Sequence, residues 1–263
     1  MKKYLVIGNP INHSLSPELH NHWIKENGID ATYSKKKMSE NEFENLISEV
    51  RQHVINGVNV TVPFKNTIIP HMDKLTDEAK RTQSVNTIYQ KDNEIIGHNT
   101  DIEGFENSIK KINFNFNNKK IFILGAGGVV PSIVYASMKM GSSEILISNR
   151  TKEKAQKIKN TFNNIKLVNW GEIPDFDVII NATSLGLNQN DEINLDFTNV
   201  GKYKLFYDVI YNPTETKFLR VGKKLGNKCV NGKLMFIYQA FSAFKLWHGI
   251  EPSINDETMK LLD

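Results

Sequence analysis

The chain has 263 residues, of which 40% are hydrophobic, and this is enough to form a core in each of two domains. Its 33 Lys and Arg residues against 29 Asp and Glu give a net charge of +4 that is spread along the chain, which argues against a nucleic acid partner. Because Cys229 is the only cysteine and no apolar run approaches the roughly 20 residues of a membrane span, we expect a cytoplasmic protein without a disulfide, a cysteine-built zinc site or a membrane partner.

Short β-rich segments alternate with amphipathic segments in the first hundred residues, a pattern typical of α/β folds. Pro17 suits the first turn of a helix predicted from 16 to about 27, and Pro63 ends a predicted strand at 57–62. Lys91-Asp92-Asn93 is typical of a hairpin turn between two strands. The other elements predicted here are a strand at 4–7, an extended segment at 32–36, the hairpin strands at 85–90 and 94–98, and helices at 42–53 and 102 to about 112.

A second α/β run begins after the Asn-rich segment 113–118, whose polar composition is typical of a connection between domains. The strands predicted in this run are 120–124, 144–148, 166–169, 177–181 and 205–209, with helices between the first three. A last long helix is predicted at about 238–247, and the pattern alone does not tell which domain it joins.

A glycine-rich turn follows the first strand of the second run. Residues 120–124 lead into Gly125-Ala126-Gly127-Gly128-Val129-Val130, and a helix is predicted from 131 to 140. Glycines let the backbone approach a pyrophosphate, while the helix N-terminus offers free N–H groups and a favourable dipole. The order of strand, glycine-rich turn and helix therefore predicts a dinucleotide site.

The next strand ends at Asn149-Arg150-Thr151, about where an NAD-binding chain places a carboxylate for the ribose. No acid stands there. Arg150 can instead form a forked contact with a 2′-phosphate, Thr151 can donate to it, and Lys154 can add positive charge. These residues favour NADP over NAD.

Polar residues gather where strands of the first run end. Asn59 and Thr61 alternate with valines, so on a strand they share one face, and Lys65 follows shortly after. Further polar residues at the ends of the hairpin strands are Asn86, Asn99, Thr100 and Asp101. We expect this group to line a cleft that faces the second domain.

At these residues the chain resembles the shikimate dehydrogenase family, and the resemblance covers nearly its whole length. The motifs that carry it are Ser14-Leu15-Ser16-Pro17, Asn59-Val60-Thr61-Val62-Pro63-Phe64-Lys65, Val85-Asn86-Thr87, Asn99-Thr100-Asp101 with Gly104, Gly125-Ala126-Gly127-Gly128, Asn149-Arg150-Thr151, Asn181-Ala182-Thr183-Ser184, Asp208-Val209 with Tyr211-Asn212-Pro213, and Gln239-Ala240. The chain departs from the family at Val129-Val130-Pro131, where small residues are usual, and at Leu187, where Met is common.

The resemblance implies an α/β fold with a cleft between two domains. An N-terminal α/β substrate domain would span 1–103, with the C-terminal segment 237–263 packing back on it, and a Rossmann-like doubly wound NADP-binding domain would span 104–236. The implied reaction is the reversible, NADPH-dependent reduction of 3-dehydroshikimate to shikimate in chorismate and aromatic amino acid biosynthesis. We expect a monomer or homodimer that needs no metal.

Residue by residue, the resemblance implies three groups of site residues. The catalytic pair would be Lys65 and Asp101, with Lys65 either donating the proton or stabilising negative charge on oxygen. The substrate-binding residues would be Ser14, Ser16, Asn59, Thr61, Asn86, Tyr211 and Gln239, although Tyr211 could also be a core residue at a strand end. The cofactor-binding residues would be Gly125, Ala126, Gly127, Gly128, Val129, Asn149, Arg150, Thr151, Lys154, Thr183, Val209 and Gly232.

Two other functions remain open from the sequence, a quinate- or quinate/shikimate-type dehydrogenase and a non-catalytic dinucleotide-binding regulator. Ser14 with Ser16, together with the Asn149-Arg150-Thr151 run, favours shikimate with NADP. A Thr in the serine pair and an acid after the second strand would have favoured quinate with NAD. A regulator would have little reason to retain Lys65 and Asp101 together.

Overall fold

A computed structural model of the chain describes residues 1–188 and 191–262. These residues form two compact units, the first made of Met1–Gly104 and Ile237–Leu262 and the second of Phe105–Phe236. The chain passes from the first unit to the second, and back again, within two helices. Asp263, the end of the predicted segment 237–263, lies outside the described residues.

The first unit contains a mixed six-stranded sheet. Its strands are β1 (Lys2–Gly8), β2 (Ala31–Lys37), β3 (Gly57–Val60), β4 (Lys74–Leu75), β5 (Thr87–Lys91) and β6 (Glu94–His98). They lie in the order β2-β1-β3-β5-β6-β4, with β1 parallel to both of its neighbours and the hairpin β5–β6 antiparallel. Asp92 and Asn93 form the predicted hairpin turn with φ angles of 51° and 63°, the left-handed region that a two-residue turn of this type requires.

Three helices, α1 (Ser16–Glu26), α2 (Phe43–Arg51) and α3 (Asp77–Thr82), precede the crossing to the second unit, and the crossing itself lies within α4 (Asp101–Lys111). The apolar side of α2 is formed by Phe43, Leu46, Ile47 and Val50, whose helical spacing places them together in the core of the unit. Asp101 is the first residue of α4, so this helix begins at a predicted catalytic residue.

The predicted strand at 57–62 is wrong at its end, because β3 stops at Val60. The backbone N–H of Thr61 still donates to the carbonyl of Ile7 in β1, but its carbonyl accepts from the N–H of Phe64 and so begins a turn. Pro63 within this turn has no N–H with which to continue the ladder. Thr61 therefore follows the strand instead of sharing a strand face with Asn59.

The second unit contains a fully parallel six-stranded sheet. Its strands are β7 (Lys120–Leu124), β8 (Glu144–Ser148), β9 (Ile165–Val168), β10 (Val178–Asn181), β11 (Leu205–Asp208) and β12 (Lys228–Val230), and its helices are α5 (Val130–Lys139), α6 (Lys152–Thr161) and α7 (Lys217–Lys224). The strand order is β12-β11-β10-β7-β8-β9, so the order reverses between β7 and β10. This is the doubly wound arrangement of dinucleotide-binding domains, in which ligands bind beyond the carboxyl ends of the strands at the reversal.

The last long helix, α8 (Lys233–His248), begins before the predicted start at 238, and a short helix α9 (Asp256–Lys260) follows it. The early start has a local cause, since the Asn231 side chain accepts from the N–H of Lys233 at 3.2 Å at the beginning of the helix. The first residues of α8 belong to the second unit, while Ile237 and those after it belong to the first. Within the described residues, no helix is long and apolar enough to cross a membrane.

His20 lies in an aromatic core between α1, β2 and α8. Its ring stacks on Tyr33 with a centroid distance of 4.2 Å and an interplanar angle of 2°, and the edge of Trp23 and the ring of Phe244 also contact it. The side chain is 1% exposed and neither ring nitrogen has a hydrogen-bonding partner. Burial, together with repulsion from His248, lowers the pKa of His20 to about 3.

This histidine should make the protein less stable in mild acid. The folded pKa of His20 is about 3 and the ordinary pKa is about 6.5, so between these values the unfolded chain takes up a proton that the folded chain does not. The free energy of unfolding should therefore fall as the pH decreases below about 6.5, by up to about 1.4 kcal/mol per pH unit. Urea denaturation between pH 7 and pH 4.5 measures this slope.

His20→Phe keeps an aromatic ring in the stack and should make the slope shallower, while His248, whose pKa burial lowers to about 4, still contributes to what remains. His53→Asn, at an exposed position with φ of 57°, is the control substitution. An equal slope in the wild type and in His20→Phe would show that His20 does not carry the effect.

Candidate active site

Lys65 and Asp101 form an ion pair in the first unit. The Lys65 Nζ donates to Asp101 Oδ2 at 2.6 Å, and the two side chains are 12% and 7% exposed. Lys65 lies in the turn that follows β3, and its carbonyl accepts from the N–H of Val85, which fixes this turn against the start of the hairpin. Two opposite charges are thus held in contact with little water around them, which strengthens their interaction.

Asn86 fixes the other side of the Asp101 carboxylate. Its Nδ2 donates to Asp101 Oδ1 at 2.9 Å and to Thr100 Oγ1 at 3.0 Å. Its Oδ1 accepts from the backbone N–H of Thr100 at 2.7 Å, which determines the orientation of the amide. Both oxygens of Asp101 therefore have fixed partners, and the carboxylate holds the Lys65 ammonium in one place.

A second group of hydrogen bonds extends from Asn86 to Tyr33. The Nδ2 of Asn59 donates to the Asn86 carbonyl and to Thr87 Oγ1, each at 3.1 Å, and its Oδ1 accepts from the Tyr33 hydroxyl at 2.7 Å. Tyr33 also contacts the hydroxyl of Ser16, at the start of α1. Sequence reasoning missed Tyr33, and the only signal was a lone aromatic residue in the otherwise polar strand β2.

The structure thus groups five of the predicted residues in the first unit through direct hydrogen bonds and contacts: Lys65, Asp101, Asn86, Asn59 and, through Tyr33, Ser16. Ser14 joins them because its Oγ accepts from the N–H of Ser16 at 3.3 Å. Thr61 and Gln239 are half-buried, the first just after β3 and the second on α8. Tyr211 belongs to the second unit, where its ring packs on Phe236 at 4.5 Å between centroids.

The glycine-rich turn lies between β7 and α5. Gly125 has φ of +111°, and a Cβ at this position would lie 2.8 Å from the carbonyl oxygen of Ala182, so only glycine fits. Ala126 and Val129 are half-buried, while Gly127 and Gly128 are exposed. An exposed backbone that leads into the N-terminus of α5 suits a pyrophosphate, so the residues present fit a dinucleotide.

Positive charge lies beyond the end of β8. Arg150, Thr151 and Lys154 are exposed, and the Asn149 Nδ2 donates to the Thr151 carbonyl at 2.7 Å, which fixes the turn into α6. A hollow of about 520 Å³ adjoins this turn, lined by residues of α6, β9 and the segments beside them, Asn149 among them. No carboxylate follows β8 directly, so the turn has the donors and the charge that a 2′-phosphate needs.

The remaining cofactor candidates lie in the loops after β10 and β11. Thr183 donates to Asn181 Oδ1 through its N–H at 3.1 Å and its hydroxyl at 2.7 Å, and the N–H of Val209 donates to the Asn181 carbonyl at 2.9 Å. A Cβ on Gly232 would lie 2.1 Å from the Val209 carbonyl oxygen, so the chain before α8 passes directly against this loop.

Asp208 is a buried carboxylate that supports these loops, and sequence reasoning gave it no role. Its oxygens accept from Asn181 Nδ2 at 3.1 Å, from the N–H of Ile210 at 3.0 Å and from the Thr216 hydroxyl at 2.7 Å. Burial raises the pKa of Asp208 to about 6, although these three donors favour the charged form. The signal that sequence could have offered is an acid at the end of an otherwise apolar strand, LFYD.

One unit has a parallel doubly wound sheet with a glycine-rich turn, and the other holds a largely buried Lys–Asp pair among amides and hydroxyls. These features define a nicotinamide-dependent oxidoreductase of the two-domain α/β type. Within residues 1–188 and 191–262, no group of three or more His, Cys, Asp or Glu side chains could hold a metal ion.

Comparisons with known proteins give the family. Residues 6–88 match the model of the shikimate dehydrogenase substrate binding domain, and residues 107–225 match that of shikimate / quinate 5-dehydrogenase. Shikimate dehydrogenase (NADP(+)) of Pelagibacter ubique is 56% identical over 262 residues, which cover 100% of this chain and 99% of that protein. The chain belongs to the shikimate dehydrogenase family.

Solved structures of the family have the same fold. The shikimate dehydrogenase of Aquifex aeolicus matches with a TM-score of 0.91 at 36% identity, over 100% of this chain and 97% of that one. The enzyme of Thermus thermophilus, solved in complex with NADP(H) and shikimate, matches with a TM-score of 0.90 at 29% identity, over 100% of this chain and 98% of that one.

The close passage at Gly232 gives a prediction about stability. Gly232→Ala places a methyl group against the Val209 carbonyl, so the backbone must shift, and we expect the free energy of unfolding to fall by about 2 kcal/mol or more. Gly201→Ala is the matched control, because the nearest atom to its new Cβ would be 4.0 Å away. Chemical denaturation of both variants tests this, and equal stabilities would contradict the packing described for Gly232.

Proposed function

We propose that the protein catalyses the reversible, NADP-dependent reduction of 3-dehydroshikimate to shikimate, a step of chorismate and aromatic amino acid biosynthesis. The observation that carries the proposal is the largely buried Lys65–Asp101 pair within a cluster of amide and hydroxyl groups. The name of the Pelagibacter ubique relative and the ligands of the Thermus thermophilus structure support it. The reaction belongs to the oxidoreductases that act on CH–OH groups.

The first unit supplies the substrate site in this proposal. Shikimate has three hydroxyls and a carboxylate, which require many neutral donors and acceptors in a small volume. The residues assigned to shikimate are Ser14, Ser16, Asn59, Thr61, Asn86, Tyr211 and Gln239. The domain limits that we propose are accordingly 1–103 with 237–263 for substrate and 104–236 for the cofactor.

The second unit supplies the cofactor site. When bound, NADPH supplies the hydride for the reduction, and NADP accepts it in the reverse direction. The turn from Gly125 to Val129 and the N-terminus of α5 would hold the pyrophosphate, and Arg150 with Thr151 and Lys154 would hold the 2′-phosphate. The residues assigned to the rest of the cofactor are Asn149, Thr183, Val209 and Gly232.

Lys65 is the proton donor in the proposal. When a ketone becomes an alcohol, its oxygen needs a proton, and an ammonium group has three N–H donors. One N–H of Lys65 is directed to Asp101, which leaves two for a substrate oxygen. Asp101 holds the ammonium in place and can accept from a substrate hydroxyl. In the reverse direction the neutral Lys65 amine takes the proton from the alcohol, and the positive charge of the ammonium formed in this way stabilises negative charge on the oxygen.

We further propose a cytoplasmic enzyme that acts as a monomer or a homodimer. The single cysteine Cys229 lies half-buried as a free thiol, which suits a reducing compartment. Burial raises the pKa of its thiol to about 11, which keeps it protonated and unreactive.

The role of Lys65 is tested by Lys65→Ala. We expect kcat to fall at least about 100-fold with a much smaller change in the KM for shikimate, because help given only in the transition state appears in kcat. Lys74→Ala, on an exposed lysine paired with Glu94 in the same unit, is the control and should keep wild-type kinetics. Near-normal turnover of a folded Lys65→Ala protein would overturn the assignment.

The preference for NADP is tested by Arg150→Ala. A forked ion pair to a phosphate contributes on the order of 1.5 to 3 kcal/mol, so the KM for NADP should rise about tenfold or more while the KM for NAD changes little. The matched control is Arg220→Ala, which removes an exposed arginine on α7. Equal changes in both KM values would show that Arg150 does not bind the 2′-phosphate.

A further inference from the structure

Tyr33 is an unusual residue in its strand. The strand β2, with the sequence ATYSKKK, lies at the edge of its sheet, and Tyr33 is its one buried side chain. The ring is 3% exposed, and its hydroxyl reaches the polar cluster that contains Asn59. Packing in the core at this position requires the aromatic ring but not the hydroxyl group.

That hydroxyl connects two residues from different parts of the chain. It donates to Asn59 Oδ1 at 2.7 Å, and it also contacts the hydroxyl of Ser16. The amide of Asn59 is oriented by its other contacts, because its Nδ2 donates to the Asn86 carbonyl and to Thr87 Oγ1. Tyr33 therefore fixes the remaining face of Asn59 and places it relative to α1.

The position of Tyr33 is itself fixed by α1. The Asn21 side chain binds both backbone groups of Tyr33, with Oδ1 accepting from its N–H at 2.9 Å and Nδ2 donating to its carbonyl at 2.8 Å. His20 stacks on the ring at 4.2 Å. Burial raises the pKa of the Tyr33 hydroxyl well above its ordinary value, so it remains a donor at every pH at which the enzyme is assayed. Ser16, His20 and Asn21 all lie on the same helix.

We propose that Tyr33 is a positioning residue for the substrate, acting through Asn59 and Ser16 to set the geometry in which these two residues bind shikimate. The inference rests on the proposed function, because it uses the substrate roles of Asn59 and Ser16. Without the Tyr33 hydroxyl, the buried Asn59 Oδ1 loses its donor and the side chain can take other orientations. We expect the cost to fall on the binding of substrate, because the hydrogen bonds that Asp101 makes with Lys65 and with the Asn86 side chain involve neither Tyr33 nor Asn59 directly.

The experiment compares Tyr33→Phe with Tyr4→Phe. Tyr33→Phe keeps the ring and its stack on His20 and removes only the hydroxyl. Tyr4 is a matched control, since it is 2% exposed on the neighbouring strand β1 and its ring packs against Trp247 and His248. Steady-state kinetics in the direction of shikimate oxidation give KM for each ligand and kcat. Calorimetry gives the dissociation constant of shikimate without any need for turnover.

For Tyr33→Phe we expect the KM and the dissociation constant of shikimate to rise about tenfold, with kcat and the KM for NADP within about twofold of the wild type. Tyr4→Phe should match the wild type in every value. Shikimate constants within about twofold of the wild type in Tyr33→Phe would overturn the inference, as would an equal rise in the KM for NADP or an equal effect in Tyr4→Phe. The proposed function fails separately, if the wild type neither binds nor oxidises shikimate.

Discussion

The ion pair between Lys65 and Asp101 is the constraint around which the first unit is arranged. Two charges with little exposure lose most of their hydration, and such a pair is stable only when further hydrogen bonds satisfy its remaining atoms. Asn86 supplies one of these bonds, and its own amide is held by the backbone of Thr100. The carboxylate of Asp101 therefore fixes the relative positions of three parts of the first unit: the start of α4, the start of the hairpin and the turn after β3.

In the second unit, too, hydrogen bonds satisfy a buried carboxylate, in this case that of Asp208. Asp208 and Asn181 are directly opposite each other at the carboxyl ends of β11 and β10, and hydrogen bonds between them and the following loops fix the chain that leads to Thr183 and Val209. Gly125 comes close to the backbone just after β10, so the glycine-rich turn depends on this arrangement as well. Buried polar groups at strand ends thus shape the surroundings of both proposed sites.

Sequence alone could predict the elements with strong periodicity, including β7 and β8 at their observed limits. It missed α3 and β12, which have too few residues for a periodic pattern, and it also missed α7. The family motifs supplied the roles proposed for Lys65, Asp101 and Asn86. No motif contained Tyr33, and the motif that contains Asp208 gave this residue no role. These two act through hydrogen bonds to residues distant in sequence, and such contacts are determined by the fold.

The central claim is that the chain oxidises shikimate with NADP and reduces 3-dehydroshikimate with NADPH. The most direct test is an assay of the purified wild-type protein with shikimate and with quinate, each against NADP and NAD. We expect shikimate with NADP to give the highest kcat/KM of the four combinations. A higher value for quinate with NAD would indicate a quinate-type dehydrogenase instead. Reduction of neither nicotinamide with either substrate would contradict the account and favour a non-catalytic dinucleotide-binding regulator.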